Sequence, residues 1–348
     1  MTKITLGIIG GGQLGSMMAS SAKELKIKTI IFSDDHIAPG QMFCDEFIFG
    51  DYNDISKIKE FTEKVDVVTF EFENIPYDAL KKINEFKKVL PKPEVNKIIQ
   101  NRLTEKDFIN TLNIKTTEYK LIKNNNDLKK NIGLLPGILK TCTLGYDGKG
   151  QYKINNVEEI QNIKIDFNHE YILEKLVNLK KEISVIITRF EKGKYEIYEP
   201  IENEHKDQIL KLSKIPADIE KKNFIEATNA AKKIAEELNY IGTLCVEFFI
   251  DNNNELYVNE VAPRVHNSGH LTINSHNISQ FENHIRAVCN LEKKETKRLY
   301  NAEMINLIGD DISIYKDKKL GNNEFFFDYK KKHIKPKRKM GHFTKIYK

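Results

Sequence analysis

The stretch Glu247 to His270, EFFIDNNNELYVNEVAPRVHNSGH, carries one acid on each of two apolar runs. The polar turn Asp251-Asn252-Asn253-Asn254 joins the runs, which reads as a β-hairpin. A turn centred between Asn253 and Asn254 places Glu247 opposite Glu260 on one face of the sheet. Two facing carboxylates repel unless a positive charge lies between them. Mg²⁺ is the simplest candidate, because it takes carboxylate oxygens and keeps open positions for phosphates. Spacing alone also fits a solvated hairpin with two exposed acids.

Four further constellations could carry chemistry. Gly10-Gly11-Gly12-Gln13-Leu14-Gly15 follows a strand and opens a helix, with Asp34 and Asp35 ending the next strand. That arrangement suits an anion at a helix N-terminus and would fit a nicotinamide dehydrogenase, although nothing downstream supplies a hydride-transfer site. Lys140 precedes the glycine-rich run Gly145 to Gln151, whose amides could approach a phosphate while the lysine supplies a point charge. The alternative there is a surface hairpin with a solvated lysine. Glu174-Lys175-Leu176-Val177, with Glu182 beyond, offers backbone groups to a purine edge and a carboxylate to ribose, but charged residues at strand ends are usually solvent-facing. Arg264 to His270 packs many donors just after Glu260, as an anionic substrate beside a nucleotide would need. Its two histidines lack a third ligand at transition-metal spacing.

These residues need a scaffold to bring them together. The N-terminal part alternates Ile4–Ile9 strand, Gln13–Leu25 helix, Lys28–Phe32 strand, Ile55–Thr62 helix, Val65–Phe72 strand, Tyr77–Phe86 helix and a short Lys88–Leu90 strand. That order predicts a parallel sheet covered by helices. A single helix is expected over Val95–Asn113, followed by strands at Tyr119–Ile122, Gly137–Lys140, Tyr171–Glu174, Glu182–Arg189 and Tyr195–Tyr198. Phe224, Ala227, Ala231, Ile234, Ala235 and Leu238 recur at helical period, so Phe224–Leu238 is expected to be a helix with that face inward. Ser279–Asn290 reads as helix and Met304–Ile308 as strand; the run Lys330–Lys339 reads by itself as a solvated basic tail.

Bulk properties narrow the class. A chain of 348 residues calls for two or three cores, and 40% hydrophobic with 30% charged residues is ordinary for a globular enzyme. A net charge of +5, dispersed along the chain, does not suggest nucleic acid. Cys44, Cys142, Cys245 and Cys289 show no metal-ligand spacing and fit a reduced cytoplasmic protein. No signal peptide or membrane-spanning run is expected.

Taken in order, the motifs GGGQLG (Gly10–Gly15), FEFENIP (Phe70–Pro76), NRLTEK (Asn101–Lys106), GYDGKGQ (Gly145–Gln151), NEVAPRVHNSGH (Asn259–His270), SQFENHIRA (Ser279–Ala287), MINLIGD (Met304–Asp310) and RKMGH (Arg338–His342) resemble the ATP-grasp superfamily. Within it, the chain is similar to the 5-(carboxyamino)imidazole ribonucleotide synthases of purine biosynthesis. The resemblance implies an α/β and α+β architecture: an N-terminal parallel α/β domain (1–97), a lid-side lobe (98–172), a metal-binding lobe (173–292) and a small C-terminal domain (293–348). It implies an ATP-dependent carbon–nitrogen ligase that carboxylates 5-aminoimidazole ribonucleotide with bicarbonate through carboxyphosphate, working in the cytoplasm as a homodimer without nucleic acid or membrane. ATP and Mg²⁺ would be the cofactors.

Carried over by motif, Arg102 and Lys140 would contact ATP phosphates under a loop of Gly145, Tyr146, Asp147, Gly148, Lys149, Gly150 and Gln151. Glu174, Lys175, Leu176 and Val177 would hold adenine, Glu182 the ribose, and His205 would lie beside the nucleotide. Glu247 and Glu260 would hold Mg²⁺ with Asn259 adjacent, although on a regular strand Asn259 points away, so its role requires a bulge. Gln13, Leu14, Glu73, Tyr146, Arg264, His266, Asn267, Ser268, Lys331 and Arg338 would meet the ribonucleotide. Lys140, Tyr146, Asp147 and Arg264 would be catalytic. Cys142 stands where related sequences usually carry a basic residue, and the segment around His205 is one residue shorter than in some of them. Lys330 replaces a small residue, and the chain stops soon after His342, without the closing helix of longer relatives. Formate-dependent glycinamide ribonucleotide transformylase, a non-catalytic nucleotide-binding regulator and the dehydrogenase are the rival readings.

Overall fold

The computed structural model describes residues 4–143, 145, 150–162 and 165–348. Buried β-branched runs form the first sheet. Strands Glu46–Phe49, Lys28–Ser33, Thr5–Ile9 and Val67–Phe70 lie side by side in that order, all parallel. Helices Gln13–Glu24, Ile55–Glu63 and Tyr77–Phe86 connect and cover them, as the alternation predicts. Glu46–Phe49 was not expected as a strand; only Ile48 of its four residues is buried, so it lacks an apolar pattern. The expected strand Lys88–Leu90 reduces to a single bridge between Val89 and Val68. Pro91 follows directly and has no N–H with which to extend a ladder.

The helix expected over Val95–Asn113 is two helices, Pro93–Ile99 and Arg102–Thr111. Asn101 divides them. Its side chain accepts hydrogen bonds from the Leu103 and Thr104 amides at 2.9 and 3.4 Å, so it caps the second helix instead of continuing the first. That break orients Arg102, Glu105 and Lys106 on a short helix of their own.

A small antiparallel sheet follows, in the order Tyr119–Ile122, Tyr171–Lys175, Gly137–Thr141, Gln151–Ile154. A division between residues 172 and 173 would cut the strand Tyr171–Lys175, whose full length pairs within this sheet.

The largest sheet has nine strands. Leu179–Arg189 lies between Gly242–Asp251, with Leu256–Ala262 beyond it, and Ile201–Lys206 on the other side. Ile209–Ile215, Asn301–Ile308, Lys339–Tyr347 and Glu324–Asp328 extend the same sheet, so the C-terminal strands are continuous with the central lobe. The helix Lys221–Glu237 buries Ala227, Ala231, Ile234 and Ala235 against it. Phe224, expected on that face, is 38% exposed. Asn223 takes the inward position and donates to the Asn254 carbonyl at 2.9 Å, tying the helix to the hairpin turn.

The hairpin pairs Glu247 with Glu260, as expected, but the turn is not centred where the sequence suggested. Ile250↔Leu256, Phe249↔Tyr257 and Phe248↔Val258 are centred on Asn253, and a bulge next to Glu247 leaves Asn259 as an extra residue. The extra residue shifts the register so that Glu247↔Glu260 and Val246↔Val261 face each other. Among the described residues no helix is long and apolar enough to cross a membrane.

Candidate active site

A cleft of about 1060 Å³ opens where the three parts of the chain meet, with Gln13, Glu73, Arg102, Lys140, Glu247 and Lys331 among its lining residues. Its chemistry divides into an acid pair, a cation cluster and a second charged end.

Glu247 and Glu260 face into the cleft from adjacent strands. Glu247 Oε1 lies 2.9 Å from His266 Nε2, and Glu260 Oε2 lies 2.8 Å from Arg102 Nη1. Burial would raise the Glu247 carboxyl, but His266, His205 and Arg264 outweigh it and hold it at about 2. The bulge brings Asn259 to the cleft beside Glu260, and its Oδ1 is buried without a hydrogen-bond partner. Two carboxylates and an orphaned amide oxygen form a hard, oxygen-only donor set, which suits Mg²⁺. Among the described residues no group of three or more His, Cys, Asp or Glu could hold a metal ion, so this donor set consists of the two carboxylates and the amide oxygen alone.

Behind the acid pair, one buried carboxylate gathers the phosphate-sized cations. Glu174 Oε2 lies 3.1 Å from Lys140 Nζ and 3.5 Å from Lys106 Nζ. Burial opposes ionisation of Glu174, yet Lys106, Lys140 and Arg102 hold its carboxyl at about 2. Burial lowers the Lys140 ammonium from its ordinary value, only partly offset by Glu174. Lys106, which the sequence reading gave no role, also donates to the Asn259 carbonyl at 3.3 Å and so holds the bulge. Its signal was the four-residue spacing from Arg102 on one helical face. Glu105 was missed as well. It accepts the Val261 amide at 2.6 Å, and burial with Glu260 nearby pushes its carboxyl up to about 8.

The adenine expectation for this strand fares differently. The Glu174 side chain holds lysines, and Lys175, Leu176 and Val177 do not line the cleft. The Lys175 amide donates to the Glu118 carbonyl and the Leu176 amide to the Pro136 carbonyl, both at 2.9 Å, while the Lys175 side chain is exposed and paired with Glu118. The Lys175 and Leu176 amides are therefore committed beside the small sheet. Glu182 and His205 do line the cleft, joined by a 2.6 Å Oε2–Nδ1 contact. Burial would lower the His205 pKa, but Glu182 outweighs it and raises it.

Of the glycine-rich loop, Gly145, Gly150 and Gln151 are described. The Gly145 carbonyl accepts from Arg102 Nη2 at 3.3 Å, and Gln151 lines the cleft. Gly150 has φ +70°, and a Cβ there would sit 2.6 Å from Thr141 Oγ1. Tyr146, Asp147, Gly148 and Lys149 lie outside the described residues. Cys142 lines the cleft but burial and Glu170 push its thiol up to about 11, so it brings no charge there.

At the other end, Arg264 forms an ion pair with Glu73. Burial would raise the Glu73 carboxyl; Arg264 holds it at about 2. Gln100 donates to the carbonyls of Glu73 (2.5 Å) and Ile75 (2.6 Å), fixing that turn. Lys331 Nζ donates to Gln13 Oε1 at 3.2 Å and to the Lys339 carbonyl at 2.6 Å. Leu14, His266, Asn267 and Arg338 also line the cleft. Ser268, expected to meet substrate, is not among the residues that line the cleft. It is fully buried, with its Oγ 2.8 Å from both Ser184 Oγ and His266 Nδ1, so it orients His266.

The glycine turn at Gly10–Gly15 holds a carboxyl group of the protein's own, Glu71, whose pKa burial raises against the pull of the glycine amides. The Gly12 and Gly15 amides donate to the buried carboxyl of Glu71, Gly15 at 2.7 Å. A Cβ at Gly10 or Gly12 would fall 2.5 or 2.7 Å from Glu71 atoms. With that helix terminus filled, the position a dinucleotide pyrophosphate would need is taken. The signal for Glu71 was an acid ending the apolar strand beside the glycine turn.

A cation cluster and an acid pair, held between a small antiparallel sheet and a large one and preceded by a parallel α/β unit, define an ATP-grasp protein. The ATP-grasp domain model matches residues 107–281, the ribonucleotide synthetase preATP-grasp domain residues 1–100, and the phosphoribosylaminoimidazole carboxylase C-terminal domain residues 302–348. The N5-carboxyaminoimidazole ribonucleotide synthases of Bacillus subtilis and Brucella melitensis are each 41% identical to this chain, over 97% and 98% of it and 90% and 96% of their own lengths. Among solved structures, the ADP complex of the Staphylococcus aureus enzyme is similar at TM-score 0.92 and 38% identity, covering 99% of this chain and 93% of that one. The Aspergillus clavatus enzyme in complex with ADP and 5-aminoimidazole ribonucleotide is similar at TM-score 0.91 and 27% identity, covering 100% and 95%. The chain belongs to the N5-carboxyaminoimidazole ribonucleotide synthase family.

Proposed function

We propose that this protein is an ATP-dependent carbon–nitrogen ligase that carboxylates the exocyclic amine of 5-aminoimidazole ribonucleotide, using bicarbonate, in purine biosynthesis. The observation that carries the reading is the meeting, in one cleft, of the Glu247–Glu260 acid pair, the Lys140–Arg102 cations and the Glu73–Arg264–Lys331 end. Bicarbonate is a poor electrophile. Its oxygen attacks the γ-phosphorus of ATP, ADP leaves, and the resulting carboxyphosphate has phosphate as a leaving group. The amine then attacks the carboxyl carbon, phosphate departs, and the amine loses a proton.

Lys140 and Arg102 offset charge on the transferring phosphoryl group. Glu247, Glu260 and Asn259 would hold Mg²⁺, which would offset negative charge on the transferring phosphoryl group. Arg264, held by Glu73, and Lys331 with Arg338 would meet the ribonucleotide and its phosphate. The Glu247, Glu260 and Lys140 side chains favour a working enzyme over a regulator that has lost catalysis. Four free cysteines fit a reducing cytoplasm, and a homodimer is expected from the family resemblance.

The test is ADP release with Mg²⁺ and each candidate acceptor, with and without bicarbonate. Stimulation by 5-aminoimidazole ribonucleotide that needs bicarbonate for the carboxylated product is expected. Stimulation by glycinamide ribonucleotide plus formate instead would give the rival transformylase reading.

A further inference from the structure

His270 lies behind the cleft, fully buried on the turn Asn267–Leu271, and neither the acid pair nor the cation cluster uses it. Its Nε2 is 2.8 Å from Gln13 Nε2. Which atom donates follows from the next contact, because Lys331 Nζ reaches Gln13 Oε1 at 3.2 Å. An ammonium only donates, so the amide oxygen must face Lys331 and the amide nitrogen must face His270. An amide nitrogen also only donates, which makes Nε2 of His270 the acceptor and puts the ring proton on Nδ1. Gln280 Nε2 lies 3.4 Å from that Nδ1, but Gln280 already donates to the His266 carbonyl at 2.6 Å. A neutral ring cannot accept at both nitrogens, so the 2.8 Å contact is the hydrogen bond and the 3.4 Å one is packing. Burial among His342, Tyr329 and Phe281 keeps the imidazole neutral, with its pKa well below the ordinary value.

Gln13 has little other freedom. Its backbone sits between Gly12 and Gly15, whose amides are both clamped by Glu71. Only the side-chain torsions and the amide orientation remain to be set. A protonated or flipped partner at His270 would turn the Gln13 nitrogen toward Lys331, donor against donor. The order His270, Gln13, Lys331 thus links the central turn, the N-terminal glycine turn and the C-terminal segment in a single directed chain.

We propose that His270 is a positioning residue: by accepting from the Gln13 amide it fixes the amide oxygen toward Lys331 and so sets the ammonium at the ribonucleotide end of the cleft. This rests on the proposed function, so the unmodified chain is assayed first. Absence of any response to 5-aminoimidazole ribonucleotide would overturn both readings together. Given that response, Michaelis constants for 5-aminoimidazole ribonucleotide and for ATP are measured for H270N, H270Q, Q13A and the double variant H270N/Q13A.

Glutamine can place an acceptor oxygen near the former Nε2, whereas asparagine reaches only the former Nδ1. H270N and Q13A are each expected to raise the ribonucleotide constant roughly tenfold, the worth of one hydrogen bond to a charged group's support, with ATP little changed. H270Q should recover most of the loss, and the double variant should be no worse than Q13A, because both changes break one chain. The proposal is overturned by additive effects in the double variant, by equal losses for both substrates, or by H270Q behaving like H270N.

Discussion

At the scale of residues, the cleft is built from charges that neutralise one another before any substrate arrives. Glu260 has Arg102 at 2.8 Å, Glu247 has His266 at 2.9 Å, and Glu174 holds both Lys140 and Lys106. A buried charge costs several kcal/mol unless paired, so a polyanionic nucleotide can be awaited only by a site that already balances its cations. This arrangement makes Glu260 informative. Glu260→Gln keeps the shape but removes the charge that would bind metal and hold Arg102. Turnover should fall ~10²-fold or more while the circular dichroism spectrum is unchanged. Near-native turnover at ordinary Mg²⁺ would remove Glu260 from the ligand set. Arg338 makes the opposite case. Its guanidinium donates to the His333 carbonyl at 3.1 Å on an exposed basic loop, and it lines the cleft near Lys331. Arg338→Ala is expected to weaken the ribonucleotide about 10- to 150-fold, the cost of one charge-assisted contact, and to spare ATP, whose proposed contacts lie on other elements. Unchanged Michaelis constants for both substrates would make the loop a solvated tail.

At the scale of elements, small irregularities do the placing. Asn101 ends one helix and starts another, which sends Arg102 and Lys106 toward the hairpin. Asn101→Ala should cost ~1 kcal/mol in denaturant unfolding, the usual worth of an N-cap, and raise the Michaelis constant for ATP more than for the ribonucleotide. Equal effects on both would assign the cap to general stability alone. Irregularities of this kind mark how far the sequence could be read. Strong apolar segments such as Thr5–Ile9, Lys28–Ser33 and Tyr77–Phe86 were legible, because a buried stripe or run constrains residue type along its whole length. The facing of Glu247 and Glu260 was legible too, but for a partly wrong reason: the turn lies half a residue earlier and the bulge at Asn259 restores the pairing. A bulge leaves no hydrophobic signature, and neither does a strand such as Ile201–Lys206, where only Ile201 and Asn203 are buried. Glu71 and Lys106 carried only weak local signals, and the roles of both and of Glu105 depend on partners 56 to 156 positions away that only the fold brings into contact.

At the scale of the whole molecule, the parts are joined by ionised carboxylates, and this sets how the protein should respond to acid. Glu73 pairs the N-terminal part with Arg264 of the central lobe, Glu174 pairs the small sheet with Lys106, and Glu247 pairs the hairpin with His266. All three carboxyls are held at about 2, against an ordinary 4.5. A carboxyl whose value is lower in the folded state contributes stability fully above its unfolded value and loses it as the pH falls toward the folded one. The contribution of these three therefore fades between about pH 4.5 and pH 2. Glu105 works the other way. Its value of about 8 means that its preference for the folded state fades as the pH rises from about 4.5 to about 8. The buried imidazoles of His270, His276, His284 and His342 outnumber it: burial lowers their values from an ordinary 6.5, so their contribution fades as the pH falls below about 6.5. Urea unfolding followed by circular dichroism, at intervals from pH 8 to pH 2, should show stability falling below about pH 6.5 and falling more steeply below about pH 4.5, where the three carboxyls add to the histidines. Because Glu247 and His266 line the cleft and Glu174 holds Lys140, which lines it too, nucleotide binding should fail no later than the global fold on the acid side. A stability curve flat between pH 4.5 and pH 2 would mean that these pairs are not the joints between the parts.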